Sequence, residues 1–128
     1  MQVVYSQSQV NVVQPQGDLS DENAVKFHNQ LTSALFLCQN STLLVDLEQV
    51  EFLDIKGLLA LIAALLLSRK LNCRYSLCSL PPSTQLALEL TQLDRFFEIF
   101  DNRQAFQQAG LSHLSPGSYK LLANQKLA

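Results

Sequence analysis

The chain of 128 residues has no tryptophan, one methionine, two histidines and four glycines. With His28 and His113 alone, no histidine cluster can be assembled to hold a metal. Nor is there a glycine-rich run to cradle a phosphate chain, because the glycines are scattered. Charge is scarce too. Asp, Glu, Lys and Arg make up 16% of residues, against about 25% in an average soluble domain. The net charge is -2, which supplies no basic field to concentrate nucleic acid or anionic lipid, so no nucleic-acid partner is expected. The cysteines, Cys38, Cys73 and Cys78, are odd in number and follow no metal-ligand or redox spacing. They read as reduced thiols of a cytoplasmic protein, and no histidine lies near Cys73 or Cys78 in sequence to activate them. Core thiols are expected.

Long apolar runs of membrane length are missing as well. The uncharged segment from Gly57 to Ser68 lies between Lys56 and Arg69. Spanning a bilayer takes about 20 apolar residues, so a buried helix is expected and no direct membrane insertion. Met1 to Tyr5 lacks the charged start and long apolar core of a signal peptide, and export is not expected. Catalysis finds no nucleophile beside a base and no acid and base evidently sharing a cleft. Asp18, Asp46, Glu48, Glu51 and Asp54 fall mostly at expected strand ends and turns, where carboxylates commonly cap amides or face water. A cofactor-free, non-enzymatic protein is the expectation.

Hydrophobic residues nevertheless make up 48% of the chain, enough for one sizeable core in a single domain. The organising stretch runs from Leu43 to Leu71. Leu43-Leu44-Val45-Asp46-Leu47 is apolar without alternation, as suits a central strand covered on both faces. A turn around Phe52 to Gly57 follows, then a long leucine-rich helix. Before it, Val3-Val4-Tyr5 and Val10 to Val13 suggest a hairpin. Ser20 can cap a helix reaching about Cys38, with Ala24, Phe27, Leu31, Ala34, Leu35 and Cys38 on the core face and His28 off it. After it come a strand at Tyr75 to Ser79, a short helix capped by Ser83 and packed through Leu86, Leu90 and Leu93, a last strand at Phe97 to Phe100, and a closing helix stopped by Gly110. Strands alternating with helices make this an α/β fold, with a mixed β-sheet of about five strands and about four helices. A domain spanning 1–110 is expected, followed by a tail over 111–128 in which Ser115-Pro116-Gly117-Ser118 marks a turn and Tyr119 to Ala128 is weakly amphipathic.

The long helix carries two apolar faces. If Leu58, Leu61, Ile62 and Leu65 turn toward the sheet, Lys56, Leu59, Ala63, Leu66 and Lys70 form a second stripe at steps of three and four. Covering by another part of this chain, such as the tail, is the plain explanation. A contact surface for a partner is the sharper one, and a homo-oligomer formed through this helix is one version of it.

The turn Phe52-Leu53-Asp54-Ile55-Lys56-Gly57-Leu58 resembles the phosphorylation turn of STAS domains, the fold of bacterial anti-sigma factor antagonists. Gly17-Asp18-Leu19, Val45-Asp46-Leu47 and Leu93 to Asp101 resemble further pieces of that family, in the same order. The resemblance implies a non-catalytic module that binds an anti-sigma factor or serine kinase-like protein. Its contact residues would be Asp18, Ser20, Asp54, Ile55, Lys56 and Gly57, followed by Leu59, Ala63, Leu66 and Lys70 on the helix. The family carries two hydroxyl residues where this chain has Ile55 and Lys56, so phosphorylation at the usual place is not expected. The alternative reading is a STAS accessory subunit of an ABC-type membrane transporter, docked on its ATPase. The bound partner would discriminate: a serine kinase, an ATPase, or none in the case of an enzyme.

Overall fold

The computed structural model describes residues 3–7 and 10–111. Strands β1 (Val3–Gln7), β2 (Val10–Val13) and β3 (Gly17–Leu19) lead into helix α1 (Asp21–Leu37). Then follow β4 (Thr42–Asp46), β5 (Val50–Leu53) and helix α2 (Ile55–Lys70). The chain continues through β6 (Arg74–Cys78), α3 (Pro82–Leu90), a 3-10 turn (Leu93–Phe96), β7 (Glu98–Phe100) and α4 (Arg103–Leu111). The main sheet has five strands in the order β1-β2-β4-β6-β7, antiparallel in the β1-β2 hairpin and parallel elsewhere. Among the described residues this is the mixed α/β sheet with four helices that the sequence implies.

β4 is central, and its apolar run is explained by burial on both sides. Leu43 and Val45 join the larger core with Phe27, Leu31 and Leu35 of α1, Leu61 of α2 and Leu88 of α3. Leu44 faces the other way and packs with Val12, Cys78 and Phe106 of α4. All three cysteines are buried and free. Burial raises the pKa of Cys38 and pushes Cys73 and Cys78 up to about 12, so they are inert thiols of the interior.

Several sequence expectations need correction. Gly17–Leu19, the stretch directly ahead of α1, is itself a short strand, and it pairs in parallel with β5 in a separate two-stranded sheet. Ser20 sits at the N-cap of α1, but its side chain makes no cap bond; the hydroxyl donates to Asp18 Oδ1 instead. α3 begins at Pro82, so Ser83 lies within its first turn, and Pro81 holds the cap position. α3 is also turned from the expected phase: Leu88 and Thr84 are buried, while Leu86 and Leu90 face solvent. α4 does not stop at Gly110 but runs to Leu111. The expected turn at 115–118 and the tail beyond it lie outside the described residues.

One buried carboxylate fastens α4. Asp46, at the end of β4, is 1% exposed at its side chain and accepts from Arg103 Nη2 at 2.8 Å and Nε at 3.1 Å. The Gln14 amide donates to Oδ2 at 3.2 Å and the Glu48 backbone N–H to Oδ1 at 3.1 Å. Removing one member of a buried ion pair leaves the other without its counter-charge. Arg103→Ala is therefore expected to destabilise the domain by about 3 kcal/mol, read from urea unfolding. A change within about 0.5 kcal/mol would show that this pair does not hold α4 in place.

Candidate functional site

α1 and α2 lie side by side and point the same way, as their joined ends show. At the leading ends, Lys56 Nζ is 3.6 Å from Asp21 Oδ1. At the trailing ends, the Asn72 side-chain amide donates to Asn40 Oδ1 at 2.9 Å, and the Asn40 N–H donates to the Leu71 carbonyl at 3.4 Å. Between these ends the buried residues of α2 are Gly57, Ala60, Leu61, Ala64 and Ser68. Small side chains at this spacing let neighbouring helix backbones approach closely. Leu58, Ile62 and Leu65, expected at the centre of the core face, are only partly buried at its margin. The buried face is thus rotated toward Ala60 and Ala64.

The turn that starts α2 is built around Asp54 and Gly57. Asp54 is the N-cap, and its Oδ1 accepts from the Gly57 N–H at 2.9 Å. Its other oxygen accepts from the Asp21 N–H at 3.3 Å, so a single carboxylate satisfies amides at the starts of two helices. Asp21 reaches that bond with φ +50, a left-handed conformation that aspartate tolerates better than most residues. The Gly57 N–H is the largest influence lowering the Asp54 pKa, opposed by desolvation and reinforced by the Asp21 and Lys56 amides and the Lys56 ammonium. Gly57 itself is needed for space. A Cβ there would meet the Leu19 carbonyl oxygen at 2.6 Å and Leu53 Cγ at 2.9 Å.

The expected contact residues divide into two groups. Asp18, Ser20, Asp54 and Gly57 form the scaffold of the turn: Asp18 is exposed, Ser20 and Asp54 half-buried, and Gly57 buried. Ile55 and Lys56 project outward, Ile55 with 66% exposure. Along α2, Leu59 and Leu66 are 55% and 56% exposed, Lys70 is exposed and Ala63 half-buried. Ile55, Leu59, Ala63 and Leu66 stand at helical steps of four, four and three, so their side chains share one side of the helix.

The structure adds residues that the sequence reading missed. A groove of about 320 Å³ runs beside Leu59 and Ala63, walled on the α1 side by Ala24, Val25 and His28. Val25 is 58% exposed. An apolar residue off the core face of α1 was the signal that could have found it. Phe52 is 52% exposed, on strand β5, where the sequence pattern suggests only a turn. A smaller hollow of about 160 Å³ lies beside Asp18 and Lys26. Among the described residues no group of His, Cys, Asp and Glu is arranged to hold a metal, and no helix is long and apolar enough to cross a membrane.

A family model for the STAS domain matches residues 2–106. The chain belongs to the STAS domain family. Solved structures agree in fold. An anti-sigma factor antagonist from Mycobacterium paratuberculosis superposes with a TM-score of 0.72 at 24% identity, over 82% of this chain and 88% of that one. An anti-sigma factor antagonist domain protein from Planctomyces limnophilus gives 0.70 at 20% identity, over 84% and 95%. The murine solute carrier 26 family member A9 anion transporter gives 0.71 at 16% identity; 85% of this chain matches 19% of that one. The STAS fold is therefore found both as a small separate chain and as part of a transporter.

Two measurements check the turn. Gly57→Ala is expected to cost about 1 to 3 kcal/mol in urea unfolding, because the added methyl meets backbone oxygen as well as a side chain. A cost near zero would mean that α2 does not approach Leu19 as described. Asp54 has a lowered folded-state pKa, so its contribution to stability is present above its unfolded-state pKa, near about 4, and is lost as pH falls through the lower folded value. Wild type should therefore lose more stability than Asp54→Asn on acidification below about pH 4. Parallel urea-midpoint curves for the two proteins would remove Asp54 from that role.

Proposed function

We propose that this STAS domain is a non-catalytic interaction module of the anti-sigma factor antagonist kind, binding an anti-sigma factor or serine kinase-like protein through the start and outer face of α2. The observation that carries the reading is the exposed line of Ile55, Leu59 and Leu66 on a helix whose opposite side is fully engaged with α1 and the core. A contiguous apolar face of this kind marks an interaction site more often than scattered leucines do. The family's hydroxyl positions hold Ile55 and Lys56, so the contact is a constitutive one, not released by phosphate at the turn. Lys56 at a helix start is mildly disfavoured by the helix dipole, and its exposed pairing with Asp21 offsets little of that.

The test is capture of the native partner by the full chain, with Leu59→Glu and Leu66→Glu as variants. Each variant is expected to weaken binding by about 2 kcal/mol or more while leaving stability within about 0.5 kcal/mol. Unchanged binding with unchanged melting would make the face plain surface. An ABC-type ATPase as the captured protein would instead assign the domain to transporter accessory subunits.

A further inference from the structure

The charges that α2 itself carries are of one sign. α2 holds no Asp or Glu, while Lys56 stands at one end of the apolar line and Arg69 and Lys70 at the other, all three exposed. Lys56 and Lys70 are fourteen residues apart, which is about 21 Å along a helix. The apolar line between them is continuous with the groove walled by Val25 and His28. Asp21 neighbours Lys56 at 3.6 Å, but the two side chains are 80% and 60% exposed, and an exposed pair of this kind is weak enough for a partner carboxylate to join or replace it.

Building on the partner-binding reading, we infer that the segment received by this face is an amphipathic helix of about four turns with an apolar stripe and acidic residues at both of its ends. The stripe lies along Leu59, Ala63 and Leu66, and a central apolar side chain enters the groove beside Ala63. The acidic ends meet Lys56 on one side and Arg69 and Lys70 on the other. A second copy of α2 does not have this chemistry. Packed antiparallel about Ala63 it sets Lys56 against Lys70 twice, and packed parallel it sets each lysine against its own counterpart, so like charges meet in both arrangements.

Two synthetic peptides of about 18 residues, each with leucines at steps of three and four, test this by fluorescence anisotropy with the full chain. One carries glutamates at both ends and the other lysines. The glutamate-ended peptide is expected to bind about fivefold tighter or more, with the gap shrinking as salt is raised. The double variant Lys56→Glu, Lys70→Glu should reverse the preference, and Leu66→Glu should weaken both peptides. Equal affinities, absence of binding by either, or a preference the double variant does not reverse overturns the inference. So does a dimer in sedimentation that dissociates in Leu66→Glu, because a second copy is then the occupant. Capture of the native partner that is lost in Leu59→Glu yet unaffected by the double lysine variant leaves the interaction-module reading standing and removes the acid-ended helix.

Discussion

The carboxylate of Asp54 is the contact on which the arrangement of the outer face depends. It accepts from the amide of Gly57 at the start of α2 and from that of Asp21 at the start of α1, so the two helices share one electrostatic anchor. Partial positive charge from both helix starts converges there. The approach is possible only because residue 57 has no side chain, since Leu19 and Leu53 occupy the space a methyl would need. From this point Ala60 and Ala64 keep α2 close to α1, and the side-chain bond between Asn72 and Asn40 closes the far end. The direction in which Leu59 and Leu66 point follows from that fixed rotation.

A second anchor operates on the opposite side of the sheet. Asp46 at the end of β4 binds Arg103 of α4, while Phe106 of the same helix packs on Leu44 and Cys78. The Phe100 and Phe106 rings meet in a T-shaped pair, with centroids 5.4 Å apart. β4 therefore links the helices on one face with α4 on the other. The two-stranded sheet of β3 and β5 adds a further constraint beside the turn, because Leu19 and Leu53 are register partners and both lie against Gly57. The proposed contact face rests on these supports, so little ordering would have to be done on binding.

The same fold occurs in very different settings, as the match to an anti-sigma factor antagonist and to part of an anion transporter illustrates. The fold itself does not specify the partner. In this chain one face carries Ile55 and Lys56 at the start of α2, then leucines bounded by cations, without a single acid on the helix. The buried cysteines and the paired carboxylate of Asp46 serve the interior, leaving the chemistry of the surface to apolar area and a few charges.

The amino-acid sequence by itself determined the layer order, the central strand and the register of α1. A non-alternating apolar run flanked by helices has few places to go except the middle of a sheet, and in α1 the three- and four-residue steps of Ala24, Phe27, Leu31, Ala34 and Leu35 pick out the core face, although Val25, Phe36 and Leu37 stand exposed outside it. The turn at Asp54 was legible through its resemblance to the family's turn, and with it the family. The rotation of α2 was not legible, because a helix apolar on most sides gives periodicity nothing to phase against. Only contact with α1 chose Ala60 and Ala64 for the buried seam and left Leu59 and Leu66 outside. β3 and β5 were likewise invisible, since strands of three and four residues are made by their pairing rather than by their composition. The bond from Arg103 to Asp46 joins residues 57 positions apart, and the hydroxyl of Ser20 turned to Asp18 rather than to the helix it precedes. Each of these choices depends on which groups the tertiary structure brings within reach, a quantity that local pattern does not contain.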